Sequence, residues 1–179
     1  MWVYIICAII WVVWLIPAIK EHVASEIYGH TGVATFFTLL VLGLGKPQIG
    51  NVFPEIFWLK IIGFVLYIPS AFLVASSFVA LYHKGKAKTL APSDPIILID
   101  TGIYRIVRHP MLLGTAIWSF ALILVFQSIL SIALGIIAIF CLWMASREED
   151  KFNTRKFGKS YKEYIKRVPM WNIFKGLRK

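Results

Sequence analysis

Apolar residues run in long, nearly unbroken stretches along most of this chain, and polar residues gather in only a few places. The first stretch, residues 2–19, is long enough to cross a membrane as one helix, and we expect it to be retained rather than cleaved as a signal peptide. Four more apolar stretches follow at residues 32–45, 57–82, 111–126 and 128–146. The pattern therefore predicts about five transmembrane helices.

The last two stretches are separated only by a polar pair, which predicts a tight helical hairpin over residues 111–146 with arms of about 25 Å each. Composition agrees with a membrane protein, because 59% of the 179 residues are hydrophobic and only 16% are charged. We therefore predict an all-α integral membrane bundle that forms a single domain. Residues 1–82 would hold three spans, and residues 83–179 would hold the hairpin and two polar segments.

Basic residues concentrate in those two polar segments. Of nineteen Lys and Arg, five lie in residues 83–109 and eleven in residues 147–179. The positive-inside rule predicts that both segments are cytoplasmic, so an odd number of spans places the N-terminus outside. Topology and attraction to anionic lipid headgroups explain the net charge of +10, and nucleic-acid binding is not required. The cysteines, Cys7 and Cys141, and the histidines have no metal-site spacing.

The first polar segment leads into "TGIYRIVRHPMLLGT", residues 101–115, where charged side chains directly precede an apolar span. Charge beside hydrocarbon is costly, so a polar site is expected here. Pro110 suits the first position of a helix, and the free amides of that first turn, backed by Arg108, would attract a carboxylate or another anion. Before it, Ile96 to Ile99 form a short apolar piece that we expect to be extended, like a strand.

The second polar segment opens with Glu148, Glu149 and Asp150, where the dipole of an ending helix would disfavour acidic groups. Either the helix continues past them or they face a cation. Beyond them, aromatic and aliphatic residues recur at helical spacing among lysines, which predicts a helix on the cytoplasmic membrane surface. Gly158 would separate this helix from the last span.

The predicted hairpin brings the two polar segments together. Arg108 and His109 would then lie beside Glu148 and Glu149, a charge pair that complements a zwitterion such as S-adenosylmethionine. Arg and Glu could equally pair with each other across the hairpin. His109 could also be only a helix-entry residue, and Tyr104 only an aromatic residue of the membrane interface.

Together, "TGIYRIVRHPMLLG" and "EEDKFNTRKFGKSYKEYIKRVP" resemble the isoprenylcysteine carboxyl methyltransferase and phospholipid methyltransferase superfamily, over residues 96–169. The resemblance implies S-adenosylmethionine-dependent methyl transfer to a lipid or lipidated membrane substrate, either an amine or a carboxylate. It implies backbone contacts to the cofactor from the apolar piece, a pocket wall around the His-Pro element, and a carboxylate for the amino group. The cofactor-binding residues so implied are Ile96, Ile97, Leu98, Ile99, Tyr104, Arg108, His109, Pro110, Met111, Leu112, Glu148 and Glu149.

Two positions depart from the superfamily pattern. Leu112 stands where the superfamily has Tyr, and Ala145 stands where the prenylcysteine enzymes have an Arg that holds the substrate carboxylate. Arg147 is the nearest replacement and our candidate for a catalytic, substrate-orienting residue, although two residues along a helix rotate it by about 200°. The missing Arg favours an amine over a carboxylate substrate.

Two other functions stay open. Sterol reductases share a similar hairpin and basic-His-Pro element but bind NADPH and are much longer. A non-enzymatic membrane assembly factor could also retain this scaffold, and it would have no affinity for the cofactor.

Overall fold

The computed structural model describes residues 1–21, 23–45, 50, 54–84 and 97–178. Within these ranges the chain is helical and contains no strand, which confirms the all-α prediction. A short 3-10 turn at Gly102–Arg105 precedes the fourth helix. The seven α-helices are α1 (Trp2–Glu21), α2 (Ala24–Gly45), α3 (Phe57–His83), α4 (Pro110–Phe126), α5 (Ile129–Phe157), α6 (Lys159–Arg167) and α7 (Ile173–Leu177).

The first five helices form an antiparallel bundle in which α2 packs against α1 and α5, while α4 packs against α3 and α5. At one end, the Gln127 side chain accepts a hydrogen bond from the Ile56 amide at 2.7 Å and donates one to the Ile56 carbonyl at 2.9 Å. This contact joins the start of α3 to the turn between α4 and α5. The start of α4 and the C-terminal helices therefore lie at the opposite end, with the start of α2.

Four helices of the described residues, α1, α2, α3 and α5, are long and apolar enough to cross a membrane, and α4 is a shorter apolar helix of 17 residues. The chain is thus built as a multi-pass membrane protein. One predicted boundary is wrong, because α2 begins at Ala24 rather than near residue 32. Its first turns carry Ser25 and Glu26. Both side chains are buried within the protein, so these polar residues belong to the helix instead of preceding it.

The predicted hairpin is confirmed. Gln127 adopts the left-handed conformation that ends α4, and Ser128 begins α5 by accepting a hydrogen bond from the Ser131 amide at 3.0 Å. Such a cap satisfies one of the free amides at a helix start. Pro110 is the first residue of α4 and His109 precedes it, also as predicted.

Two explanations were open for the acidic residues that follow the last span, a helix that continues past them or a cation that faces them, and both are confirmed. Helix α5 continues to Phe157, and Asp150 pairs with Arg108. Gly158 then separates α5 from α6 with a φ of 59°, a conformation that glycine adopts without strain. The aromatic side of α6 does not face lipid as expected. Tyr161 and Tyr164 are buried and pack with Leu98 on the protein itself.

Residues 97–100 are irregular, which corrects the strand-like expectation for this piece. They lie among helices, where no neighbouring strand of the described chain offers a pairing edge. Ile96 lies outside the described residues. This irregular stretch matters because it covers one side of a large cavity at the same end of the bundle as the start of α4.

Candidate functional site

A cavity of about 580 Å³ lies at this end of the bundle. Its walls come from α1 to α6 and from the irregular piece before the 3-10 turn. Most of the lining is aliphatic or aromatic, and the polar groups are concentrated at the start of α4, the late turns of α5 and the early turns of α2. A volume of this size is typical of sites for small organic ligands.

Asp150 is the centre of the polar cluster beside this cavity. The Arg108 guanidinium donates to its carboxylate twice, from Nε at 3.2 Å and from Nη2 at 2.7 Å. Tyr161 Oη donates to the same carboxylate at 2.7 Å, and His109 Nε2 lies 2.8 Å from it. One side chain of α5 therefore holds the entry to α4 and the start of α6 in place.

Arg108 also bonds to the backbone that follows α6. Its Nη1 donates to the Val168 carbonyl and, at 3.3 Å, to the Ile165 carbonyl, and its amide donates to the Pro169 carbonyl at 3.0 Å. The guanidinium is thus occupied by Asp150 and by backbone acceptors. Its role in the structure is to anchor the segment after α6 to the start of α4.

His109 lies between two carboxylates. Its Nε2 faces Asp150 and its Nδ1 is 3.3 Å from Glu149 Oε2. Burial of the imidazole lowers its pKa, but the two carboxylates outweigh burial and raise the pKa of His109 to about 9. The side chain is therefore a cation at neutral pH.

Tyr104 lines the cavity next to this cluster. Its carbonyl accepts a hydrogen bond from Tyr164 Oη at 2.6 Å, which ties the 3-10 turn to α6. Burial raises the pKa of Tyr104 far above its usual value, and the nearby Glu149 raises it further. The phenol is therefore neutral, and it can offer a hydroxyl to a ligand but not a charge.

The first turn of α4 carries backbone amides that have no acceptor within the helix. Its first intrahelical bond runs from the Leu113 amide to the His109 carbonyl at 2.9 Å. The amides of Met111 and Leu112 precede that bond and have no acceptor within the helix, and both residues line the cavity. Together with protonated His109, this turn favours the binding of an anionic group.

Nine of the twelve residues proposed from sequence for cofactor binding line the cavity. Of the other three, Pro110 is buried behind the wall, and Ile96 lies outside the described residues. Glu148 faces a separate groove and pairs with Lys151 at 2.6 Å. The nine are Ile97, Leu98, Ile99, Tyr104, Arg108, His109, Met111, Leu112 and Glu149.

The two positions of α5 singled out for the substrate differ in their placement. Arg147 is exposed, and its guanidinium lies 4.9 Å from the ring centre of Trp143, so the structure does not bring it to the cavity. Ala145 does line the cavity.

Several polar residues of the site were missed from sequence. Asp150 follows two other acidic residues, and only the fold shows which of them meets Arg108. Glu26 and His30 line the cavity from α2, and ionisable residues within a membrane helix are a recognised sign of function. Starting the second span near residue 32 left both of them outside it.

These features define a multi-pass membrane protein with a buried ionic cluster beside a largely apolar cavity. The model of the NnrU protein family matches residues 25–174, so the chain belongs to that family of membrane proteins. The match includes every polar residue of the cluster. No curated protein and no solved structure matches the chain. Membership leaves the resemblance to methyltransferases as a prediction.

Proposed function

We propose that this protein transfers a methyl group from S-adenosylmethionine to a lipid or lipid-like substrate in the membrane. One observation carries the proposal. Nine residues that the resemblance assigns to the cofactor line a single cavity of about 580 Å³. Eight of them lie in residues 97–112, and the ninth, Glu149, comes from the far end of α5, which spacing along the sequence alone does not require to meet the others.

The polar groups at the cavity fit the two charged ends of the amino-acid part of this cofactor. The Glu149 side chain is 23% exposed, so its carboxylate can accept hydrogen bonds from an ammonium group. The first-turn amides of Met111 and Leu112, next to cationic His109, can hold a carboxylate. The apolar residues 97–99 suit the uncharged remainder of the molecule.

The bound cofactor would supply an electrophilic methyl group on a sulfonium centre. In such a displacement the lone pair of the acceptor forms a bond to the methyl carbon as the C–S bond breaks, which leaves a neutral thioether. The protein must align the acceptor and keep water out, and an amine acceptor must also lose one proton, which a carboxylate of the cavity such as Glu26 can take up. The aromatic wall of Trp14, Phe36 and Trp118 supports the first two tasks, since it is apolar and shaped by packed rings. It also suits an acceptor with a hydrocarbon chain.

The charges around the cavity favour an amine acceptor over a carboxylate. Arg108 is occupied by Asp150 and by backbone carbonyls, and Arg147 lies on Trp143 outside the cavity. Ala145 supplies no cation. A carboxylate brought into this space would lose its hydration without gaining an Arg partner, which costs several kcal/mol. We propose further that this end of the bundle is cytoplasmic, because most basic residues lie there.

The test is calorimetric titration of the purified protein in detergent with S-adenosylhomocysteine and, separately, with NADPH. The first should bind and the second should not. Glu149→Gln should weaken S-adenosylhomocysteine binding by about 1.5–3 kcal/mol, the range for a hydrogen bond to a charged group. Glu163→Gln, an exposed change on α6, is the control and should bind as the unaltered protein does.

The outcomes separate the open functions. Binding of NADPH without S-adenosylhomocysteine would favour a reductase. Binding of neither would favour a non-enzymatic role for the scaffold. Equal affinity of folded Glu149→Gln and unaltered protein would remove Glu149 from the cofactor site.

A further inference from the structure

Three polar residues near the start of α2, Ser25, Glu26 and His30, form a second polar patch on the cavity wall. Glu26 is 3% exposed and Ser25 is 2% exposed. One carboxyl oxygen of Glu26, Oε2, lies 3.3 Å from His30 Nε2. The other oxygen, Oε1, and the hydroxyl of Ser25 have no hydrogen-bond partner among the residues that the structure describes.

Unpartnered polar atoms at this depth require a physical reason. Buried polar groups in native proteins are nearly always hydrogen-bonded, because leaving one without a partner costs free energy. Glu26 is also an acidic residue on a helix that is apolar enough to span a membrane. Since Glu26 and Ser25 both line the cavity, a ligand in the cavity can supply the missing partners.

The chemistry of the patch selects the kind of ligand. The unpartnered carboxyl oxygen of Glu26 can accept a hydrogen bond, and the Ser25 hydroxyl can accept a second one, so a group with several N–H donors satisfies both. Aromatic rings border the patch, with the Trp14 ring centre 5.4 Å from that of His30 and stacked on Phe37. Such rings attract cations and pack against hydrocarbon chains.

We propose that Ser25, Glu26 and His30 bind the amine headgroup of a lipid-like amphiphile whose chain packs along the aromatic wall. As a statement about the methyl acceptor this rests on the proposed function, whereas the amine site itself stands on the patch alone. A free carboxylate headgroup seated at this patch would lie against the Glu26 carboxyl group, which offers it no compensating charge.

The amine site lies next to the proposed cofactor residues. Gly29, on the same face of α2 as Glu26 and His30, packs against α5, and a Cβ built on it would lie 3.9 Å from the Ala145 Cβ. Ala145 precedes Glu149 by one helical turn and lines the same cavity. The two carboxyl groups therefore project from adjoining faces of two packed helices into one space.

The experiment measures binding of radiolabelled dodecylamine to the purified, detergent-solubilised protein by scintillation proximity. Unlabelled dodecylamine, dodecanol and dodecanoate serve as competitors with equal chain length. We expect dodecylamine to compete and the other two to compete at least tenfold less well. Glu26→Gln should weaken dodecylamine binding about tenfold or more, the loss expected for a hydrogen bond to a charged group. Glu163→Gln, exposed on α6, should leave it unchanged.

Calorimetry with S-adenosylhomocysteine on the same samples separates the two proposals. Glu26→Gln should keep its affinity for S-adenosylhomocysteine. If the unaltered protein does not bind S-adenosylhomocysteine but binds dodecylamine through Glu26, the proposed function fails and the amine site stands.

Three results would overturn the amine site: no saturable dodecylamine binding, equal affinity in folded Glu26→Gln, or competition by dodecanol or dodecanoate as strong as that by the amine. Circular dichroism and gel filtration report whether each variant folds. Should Glu26→Gln not fold, Ser25→Ala gives the same test with a smaller change. It should weaken dodecylamine binding about threefold, as expected for a neutral hydrogen bond, and an unchanged affinity would count against the site.

Discussion

Asp150→Asn should destabilise the protein by about 3 kcal/mol. In the structure this carboxylate takes two hydrogen bonds from Arg108 and one from Tyr161, and it lies 2.8 Å from His109 Nε2. An amide has one acceptor oxygen and no charge, so Arg108 and His109 would remain buried without this counter-charge. Breaking a buried ion pair by removing one partner costs about 3–5 kcal/mol. The 16% exposure of Asp150 places the expected loss at the lower end.

The assay for Asp150→Asn is unfolding of the purified protein in detergent by titration with dodecyl sulfate, followed by circular dichroism. Glu163→Gln removes one exposed carboxylate from α6 and is the matched control, with an expected change within about 0.5 kcal/mol. Arg108→Lys should lie between the two, because an ammonium keeps the charge but cannot reproduce the forked contact. A loss below about 1 kcal/mol in Asp150→Asn would refute the view that the cluster holds α4, α5 and α6 together.

Three further predictions concern pH, topology and substrate. The pKa of His109 is near 9 in the fold and about 6.5 when free, so its stabilisation is full below about pH 6.5 and is lost as the pH rises through 9. The thermal midpoint should fall over that window, and it should fall less in His109→Gln. In a background without native cysteines, Glu55→Cys should label only from outside and Lys162→Cys only from the cytoplasm, and labelling of both from one side would contradict the topology. The unaltered protein should barely methylate a farnesylcysteine analogue, and Ala145→Arg should raise that activity, whereas efficient methylation by the unaltered protein would refute the amine preference.

The helices were predictable because hydropathy and length dominate in a membrane protein. The hairpin turn and the start of α4 at Pro110 also follow from local rules, since each depends on residues within one turn of the boundary. The start of α2 does not follow from local rules. Ser25 and Glu26 lower the local hydropathy, and only packing against the rest of the bundle makes a helix acceptable there.

The part of the site that was predictable from sequence is the part formed by residues close together in the chain. Residues 97–112 form one short segment, so their meeting at one cavity follows once the hairpin is correct. The choice among Glu148, Glu149 and Asp150 is not local, because successive residues of a helix differ by about 100° in direction. The orientation of α5 about its own axis sets their positions. Asp150 contacts Arg108, Glu149 faces the cavity and Glu148 lies in another groove.

The charged side chains at this end of the bundle divide into two groups with different roles. Arg108 and Asp150 are largely satisfied by each other and by backbone groups, so they stabilise the end of the bundle rather than contact a ligand directly. Glu149 is partly exposed, and Glu26 has an oxygen without a partner among the described residues, so these two retain capacity for a ligand. One projects from α5 and the other from α2, on helices that pack closely at Gly29 and Ala145. Two carboxyl groups on the wall of one apolar cavity fit two amine-bearing ligands better than one anionic ligand, which is why we propose an amine as the methyl acceptor.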